Sequence, residues 1–106
     1  MGGLLSSLGL YPIRRKGGIT LDANTEINPG WVNVAGDSSL NIPSEAYKYG
    51  ILVILGEPST QYTNILQIYV PDNDSNGAYI YLRRQYYNNK PSDITAPWYR
   101  IPITKI

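Results

Sequence analysis

The chain has 106 residues, a formal net charge of +1, and neither cysteine nor histidine. This length fits one domain with one modest core, and a hydrophobic content of 42% indicates a globular fold rather than disorder. Without cysteine and histidine the chain cannot form disulfides, imidazole relays or zinc sites built on these residues, and its small net charge gives no support for a nucleic-acid partner.

The stretch before Pro12 is rich in glycine, serine and leucine. It has no basic region ahead of its apolar part and is far shorter than the roughly 20 residues that cross a bilayer. We therefore predict neither a signal peptide nor a membrane partner. Its leucines favour docking onto the chain's own domain, a sister subunit or a larger assembly, because leaving them in water is costly. These anchoring residues are Leu4, Leu5, Leu8 and Leu10.

Residues 12–18 combine a proline, three basic residues and a glycine pair, which is typical of a hinge. We predict an N-terminal anchor and linker over residues 1–18, in a short extended or helical form. The folded β-rich domain is expected over residues 19–106.

The first strands of this domain are short. Residues 31–34 follow an Asn-Pro-Gly turn signal, and Leu40 with Ile42 predicts a brief edge strand. Residues 44–49 fit either one helical turn or an extended entry. Residues 51–55 are five consecutive aliphatics, the pattern of a strand buried on both faces at the centre of the core.

Residues 65–84 predict a β-hairpin, because two runs rich in β-branched and aromatic residues flank the polar loop P-D-N-D-S-N-G. Side chains alternate across a strand, so the hairpin has an aliphatic face and a Tyr/Gln/Arg face. We expect the aliphatic face to join residues 51–55 in one core. The closing run 98–106 also alternates, and Pro102 places it at a sheet edge. The predicted fold is all-β, a small antiparallel β-sandwich or β-barrel-like knob.

The hairpin loop, residues 72–77, matches the first half of an EF-hand calcium loop. The second half fails, because position twelve is Arg83 instead of a glutamate and strands flank the loop. A turn built from Asx residues and glycine explains the same residues without a bound ion, so we predict no metal and no cofactor.

The Tyr/Gln/Arg face of the hairpin is the candidate ligand or partner surface, because it combines aromatic planes with hydrogen-bond donors. The alternative is that this face packs on a second sheet or on a sister subunit. The carboxylates are scattered through predicted loops, and no phosphate-binding loop motif occurs, so we expect no catalytic residues and no enzyme. The surface residues are Gln67, Tyr69, Tyr79, Tyr81 and Arg83.

Several short motifs occur in a fixed order along the domain: P-G-W-V-N-V (29–34), Pro43, Y-G-I-L-V (49–53), Q-I-Y (67–69), Y-I-Y-L-R (79–83) and W-Y-R-I (98–101). In this order they resemble the knob-type domains of phage tail fibres and pyocin fibres, over residues 19–106. The closing strand departs from that pattern, since only Trp98 stands where many relatives carry two tryptophans. The resemblance implies a small β-rich homotrimer on a virion fibre with host-surface recognition as its task, no catalytic residues, and structural roles for Gly50 and Trp98.

Only about 18 residues precede the domain, which leaves no room for a fibre shaft. We therefore expect a non-enzymatic phage virion protein, a short fibre or capsid-decoration knob, with its head or tail location left open. Its expected partners are itself as a homotrimer, capsid or tail proteins through the N-terminal segment, and host-surface glycans or proteins. The alternative is a carbohydrate-binding module of a bacterial or viral surface protein.

Overall fold

The structure is a computed structural model that describes the backbone of residues 14–15 and residues 21–36, 39–57, 62–89 and 92–106. Over these residues the fold is all-β, as predicted, with one 3₁₀ turn at Ala23–Thr25. No helix in this part of the chain is long and apolar enough to cross a membrane. The strands are β1 (Arg14–Arg15), β2 (Leu21–Asp22), β3 (Gly30–Ala35), β4 (Ser39–Leu40), β5 (Tyr49–Gly56), β6 (Thr63–Pro71), β7 (Tyr79–Tyr87) and β8 (Tyr99–Pro102).

Six strands form the main sheet in the order β1-β3-β5-β6-β7-β8, and the neighbours from β3 to β8 are all antiparallel. Strands β2 and β4 form a separate two-stranded parallel sheet. The short strand β1 pairs parallel with β3, so Arg14 and Arg15, which the sequence places in a hinge, belong to the main sheet. The anchoring leucines lie outside the described residues.

The longer strands match the sequence prediction. The aliphatic run 51–55 forms the middle of β5, and the hairpin 65–84 is formed by β6 and β7 with a continuous antiparallel register. Strand β8 pairs only with β7 among the described strands, which confirms its place at a sheet edge. Residues 44–48 form neither a helix nor a strand, and β5 begins at Tyr49. The Ala46 amide donates to the Pro43 carbonyl at 3.0 Å and closes a turn at the start of this segment.

The hairpin loop is closed by its own backbone and side chains. The Asn73 side-chain Oδ1 accepts from the Ser75 amide at 2.9 Å, and the Gly77 amide donates to the Asp74 carbonyl at 2.9 Å. Gly77 has φ of 108°, a left-handed conformation that side chains disfavour. The prediction of an Asx and glycine turn is confirmed.

The core lies on the side of the sheet opposite to the one expected. The buried apolar side chains are Leu21, Ala23, Val32, Val34, Ile42, Ala46, Leu52, Ile54, Ile65, Tyr69, Tyr81, Tyr87 and Ile94. They include the Tyr face of the hairpin, whereas Leu66, Ile68 and Leu82 on its aliphatic face are only partly buried and Val70 is exposed. The expectation that the aliphatic face forms the core is therefore wrong. Strand β5 is likewise fully buried on one face only.

The covering layer explains this reversal. The inner side of the sheet is covered by irregular segments around residues 22–27, 41–47 and 92–98, which have few sheet partners for their carbonyl groups. Buried carbonyls need donors, and side chains with polar tips supply them from the sheet. Tyr69 Oη donates to the Tyr47 carbonyl at 2.6 Å, and Tyr87 Oη donates to the Ser92 carbonyl at 2.7 Å. A phenylalanine could make neither bond, which accounts for tyrosine at positions 69 and 87.

Candidate functional site

The five residues predicted as a ligand surface do lie together, on the inner face of β6 and β7. Gln67 is paired with Arg83 and Tyr69 with Tyr81 across the two strands, and Tyr79 is next along β7. However, Gln67 and Tyr69 are 0% exposed, Tyr81 is 2% exposed and Arg83 is 3% exposed. They face the covering layer of the same chain, so they do not form an open surface.

Gln67 connects the sheet to the 3₁₀ turn. Its Nε2 donates to the carbonyls of Ala23 at 2.7 Å and Glu26 at 2.8 Å, and its Oε1 accepts from Arg83 Nε at 2.8 Å. Both amide hydrogens and the amide oxygen are therefore used, which satisfies a buried polar side chain. Gln67 is a structural residue at the centre of the inner face.

Tyr69 is also structural. Its hydroxyl is buried and donates to the Tyr47 carbonyl, and its ring lies 6.4 Å from the ring of Tyr81. Burial, with a smaller contribution from the charge of Asp72, raises the pKa of Tyr69 above its ordinary value. The phenol is therefore neutral at physiological pH and acts as a hydrogen-bond donor.

Arg83 is a buried cation without a carboxylate partner among the described residues. Its Nε donates to Gln67, its Nη1 donates to the Ala96 carbonyl at 3.3 Å, and its Cζ lies 4.5 Å from the centre of the Trp98 ring. Its Nη2 is buried and has no hydrogen-bond partner within the described part of the chain. Burial lowers the pKa of Arg83 to about 10, so the guanidinium remains charged at neutral pH.

Tyr81 and Arg83 contribute to the lining of an open pocket of about 770 Å³. The pocket lies between β7 and β8 on one side and the segment around residues 41–45 on the other. Its volume is in the range of sites that hold small ligands. Its lining residues are Asn24, Asn41, Ile42, Pro43, Ser44, Glu45, Tyr81, Arg83, Thr95, Trp98, Tyr99 and Arg100.

An exposed ion pair forms part of the pocket lining. Arg100 Nη1 donates to Glu45 Oε2 at 2.7 Å, and the two side chains are 52% and 49% exposed. Tyr81 Oη donates to the same carboxylate oxygen at 3.3 Å, and Arg100 Cζ lies 4.4 Å from the centre of the Tyr79 ring. The hydrogen bond to Glu45 raises the pKa of Arg100. Burial, with a smaller contribution from the charge of Glu45, raises the pKa of Tyr81.

Trp98 is held in position at the pocket. Its Nε1 donates to the Asn41 carbonyl at 2.9 Å, and Asn41 in turn donates through Nδ2 to Asp22 Oδ1 at 2.7 Å. Asn41 has φ of 61°, a conformation that asparagine tolerates better than most residues. The expectation that Trp98 is structural agrees with these contacts, and its ring also contributes to the pocket.

The sequence did not single out Glu45, Asn41 or Arg100 as site residues. Glu45 reads as one of several carboxylates in loops, and Arg100 reads as one position of an alternating edge strand. They meet because β8 pairs with β7 and the segment after β4 crosses over that pair. No local spacing could have indicated this contact, since the two residues are 55 positions apart.

The chemistry of the pocket suits binding. Glu45 is the carboxylate in its lining and is paired with Arg100, so two carboxylates do not meet there as acid and base. The described residues contain no cluster of three or more acidic side chains that could hold a metal ion. Amides, hydroxyls, two guanidinium groups and aromatic rings converge instead, which is a lining typical of a site for a polar ligand.

The opposite side of the main sheet is the second candidate site, which we name the outer apolar face. Its side chains are only partly buried or are exposed, with Leu55 and Ile101 both at 47%. The register places them in contact across strands, for example Val53 opposite Ile68 and Ile68 opposite Leu82. The face comprises Trp31, Ile51, Val53, Leu55, Leu66, Ile68, Val70, Ile80, Leu82, Tyr99 and Ile101.

Comparison with known proteins gave no match: no family model, no curated protein and no solved structure is significantly similar to this chain. The functional argument therefore depends on the geometry of the pocket and of the outer apolar face, together with the resemblance found in the sequence.

Proposed function

We propose that this protein is a non-enzymatic phage virion protein, a short fibre or capsid-decoration knob that assembles as a homotrimer through its outer apolar face. The observation that supports this proposal is the composition of that face. Apolar side chains predominate across β3, β5, β6, β7 and β8, with Asn33 and Asn64 as neutral polar positions among them. Within these strands its charged side chain is Arg84, which lies opposite Leu66.

The size of the face favours burial in an assembly. Five strands of four to nine residues, spaced about 4.8 Å apart with a rise of about 3.3 Å per residue, cover on the order of 500 Å². Apolar patches of this size on a monomer commonly mark interaction sites. A surface with so little charge cannot select a charged partner, whereas the same surface on a second copy matches it in polarity.

The trimer and the virion are proposed from the resemblance to phage and pyocin fibre knobs. In this proposal the outer apolar face is buried between subunits. The covering layer on the opposite side of the sheet, where the pocket opens, stays exposed to solvent. The N-terminal segment with Leu4, Leu5, Leu8 and Leu10, which lies outside the described residues, attaches the knob to a capsid or tail protein.

Size-exclusion chromatography with light scattering tests the assembly. The full chain is expected to elute as a trimer, and Val70→Lys, which places a charge within the proposed seam opposite Ile51, is expected to elute as a monomer with an unchanged circular dichroism spectrum. Val70 is already 39% exposed, so the lysine should not disturb the fold. Asn73→Lys, in the exposed hairpin loop, is the matched control and should remain trimeric.

A monomeric full chain would contradict the proposal. The alternative is that the N-terminal leucines of the same chain, instead of a second copy, cover the outer apolar face. Substitution of Leu4 and Leu8 by aspartate in the full chain tests this alternative. If this variant became oligomeric while the unmodified chain stayed monomeric, the N-terminal leucines would be what covers the outer apolar face.

A carbohydrate-binding module is the second candidate, favoured by the pocket at Glu45, Trp98 and Arg100. Its lining of amides, hydroxyls and aromatic rings matches the hydroxyl groups and apolar ring faces of a sugar. This role does not require the trimer. Glycan binding that survives in the monomeric Val70→Lys variant would assign recognition to the pocket of one chain, whereas binding lost together with the trimer would place it between subunits.

A further inference from the structure

The charges that line the pocket do not balance. Arg83 and Arg100 contribute two positive charges, and Glu45 contributes one negative charge. Asp22 acts on Arg83 through its electric field, but its Oδ1 accepts from the Asn24 amide at 2.9 Å and from Asn41 Nδ2. The described residues therefore provide no carboxylate that pairs with the buried guanidinium of Arg83.

Arg83, which lines the pocket, has one side-chain nitrogen, Nη2, without a hydrogen-bond partner among the described residues. Arg83 is 3% exposed, and its Nη2 is a buried donor without an acceptor. Leaving such a charged donor unpaired costs free energy that an incoming acceptor recovers. Carboxylates are the acceptors that a guanidinium binds best, because the two groups are planar and form paired hydrogen bonds.

Arg100 supplies a second contact of the same kind. Its pair with Glu45 is about half exposed on both sides, and exposed ion pairs contribute little stability. A ligand carboxylate can therefore replace Glu45 on Arg100 at small cost. Asn24, Asn41, Ser44 and Thr95 supply amide and hydroxyl groups to the rest of the lining, where they suit a polyhydroxylated ring.

We propose that this pocket binds a carboxylate-bearing saccharide, such as a uronic acid, with its carboxylate bound by Arg83 and Arg100 and its hydroxyls bound by the neighbouring amides and hydroxyls. The inference rests on the proposed glycan contact and names the chemical class of that glycan. It is independent of the trimer. Glu45 acts in this proposal as a competitor for Arg100 that the ligand displaces.

Calorimetric titration of the full chain with galacturonate oligomers and with the matched neutral galactose oligomers tests this proposal. The uronate is expected to bind at least about tenfold more tightly, because the charge-assisted hydrogen bonds from Arg83 and Arg100 to the carboxylate are lost with the neutral sugar. An array of acidic and neutral glycans extends the comparison to other ring stereochemistries. The difference should shrink at high salt, as charge pairs are screened.

Three variants in the pocket and one control variant distinguish this arrangement from a general attraction of the anionic ligand to the positively charged chain. Arg100→Gln should weaken uronate binding about tenfold, and Glu45→Gln should strengthen it about threefold or more, because the competing carboxylate is removed. Lys105→Gln, an exposed cation outside the pocket lining, should change nothing. Arg83→Lys keeps the charge but loses the planar fork and should also weaken binding, with near-ultraviolet circular dichroism confirming that the variant is folded.

The outcomes separate this inference from the proposed function. Equal binding of neutral and acidic glycans, or weaker uronate binding by Glu45→Gln, would overturn the carboxylate assignment and leave glycan recognition standing. Absence of binding across the whole array would overturn both. Uronate binding that is unaffected by Arg100→Gln and Arg83→Lys would place the acidic ligand elsewhere on the chain.

Discussion

At the scale of single residues, Gly50 is fixed by the close approach of two strands. A Cβ atom at this position would lie 2.3 Å from the Val70 carbonyl oxygen and 2.9 Å from the Pro71 Cα, both backbone atoms of β6. Backbone atoms cannot move aside as a flexible side chain can. The structural role expected for Gly50 from the fibre-knob resemblance therefore has a direct physical cause in the pairing of β5 with β6.

We expect Gly50→Ala to lower the free energy of unfolding by about 2 kcal/mol, as overpacking against backbone does. Urea denaturation followed by circular dichroism measures this loss. Asn64→Ala, at an exposed position in β6, is the control and should change stability by less than about 0.5 kcal/mol. Equal stability of Gly50→Ala and the unmodified chain would mean that β5 and β6 are further apart than described.

A second prediction at the scale of single residues concerns Gln67. Gln67→Met keeps the side-chain length but removes the donors to the Ala23 and Glu26 carbonyls and the acceptor for Arg83 Nε. Leaving buried polar groups without these bonds should lower the free energy of unfolding by about 2–4 kcal/mol.

Gln85→Met is the graded comparison for Gln67→Met. Gln85 is only partly buried, and its Oε1 accepts from the amides of Thr95 and Ala96. Water can replace some of these bonds, so the expected loss is about 1 kcal/mol. A larger loss for Gln85→Met than for Gln67→Met in urea denaturation would contradict the central role of Gln67.

At the scale of elements, alternation in the sequence predicted the strands but not which face is buried. Leu66, Ile68 and Leu82 are more apolar than Gln67 and Arg83, so a rule based on hydrophobicity places them in the core. The structure buries the other face because its partner is irregular backbone whose carbonyls need donors. These carbonyls need donors only once distant segments have packed on the sheet. A short window of sequence therefore cannot show which face of the hairpin will be buried.

The same limit applies to the pocket. Tyr81 and Arg83 were identified from their place on the hairpin, because aromatic and polar side chains alternate there. Glu45 and Arg100 could not be identified, since loop carboxylates and edge-strand arginines are usually solvated. Their pairing depends on how the segment after β4 packs beside β8, which is a property of the tertiary fold.

The hairpin loop gives the prediction at the element scale. Its closure by the Asn73 side chain and by the amide of Gly77 needs no ion, although its oxygen atoms resemble half of a calcium site. Neither millimolar calcium nor a chelator should change the melting temperature of the full chain. A calcium-dependent rise, which ligand binding to the folded state would produce, would show that the loop is a metal site after all.

At the scale of the whole molecule, the three buried tyrosines of the described residues predict that the protein loses stability in alkaline solution. Burial raises the pKa values of Tyr69, Tyr81 and Tyr87, so above about pH 10 the unfolded chain releases phenol protons that the folded chain retains. The free energy of unfolding therefore falls as the pH rises, by up to about 1.4 kcal/mol per pH unit for each tyrosine.

Arg83 acts in the opposite direction. Burial lowers its pKa below the ordinary value to about 10, so above pH 10 the folded chain releases this proton before the unfolded chain does. One arginine offsets one tyrosine, and the raised pKa values of the other two tyrosines leave a net fall in the free energy of unfolding as the pH rises above 10. Urea denaturation at a series of pH values measures this slope. Tyr69→Phe should make the slope shallower by about 1.4 kcal/mol per pH unit, and a stability that stayed constant or rose above pH 10 would contradict the buried polar core.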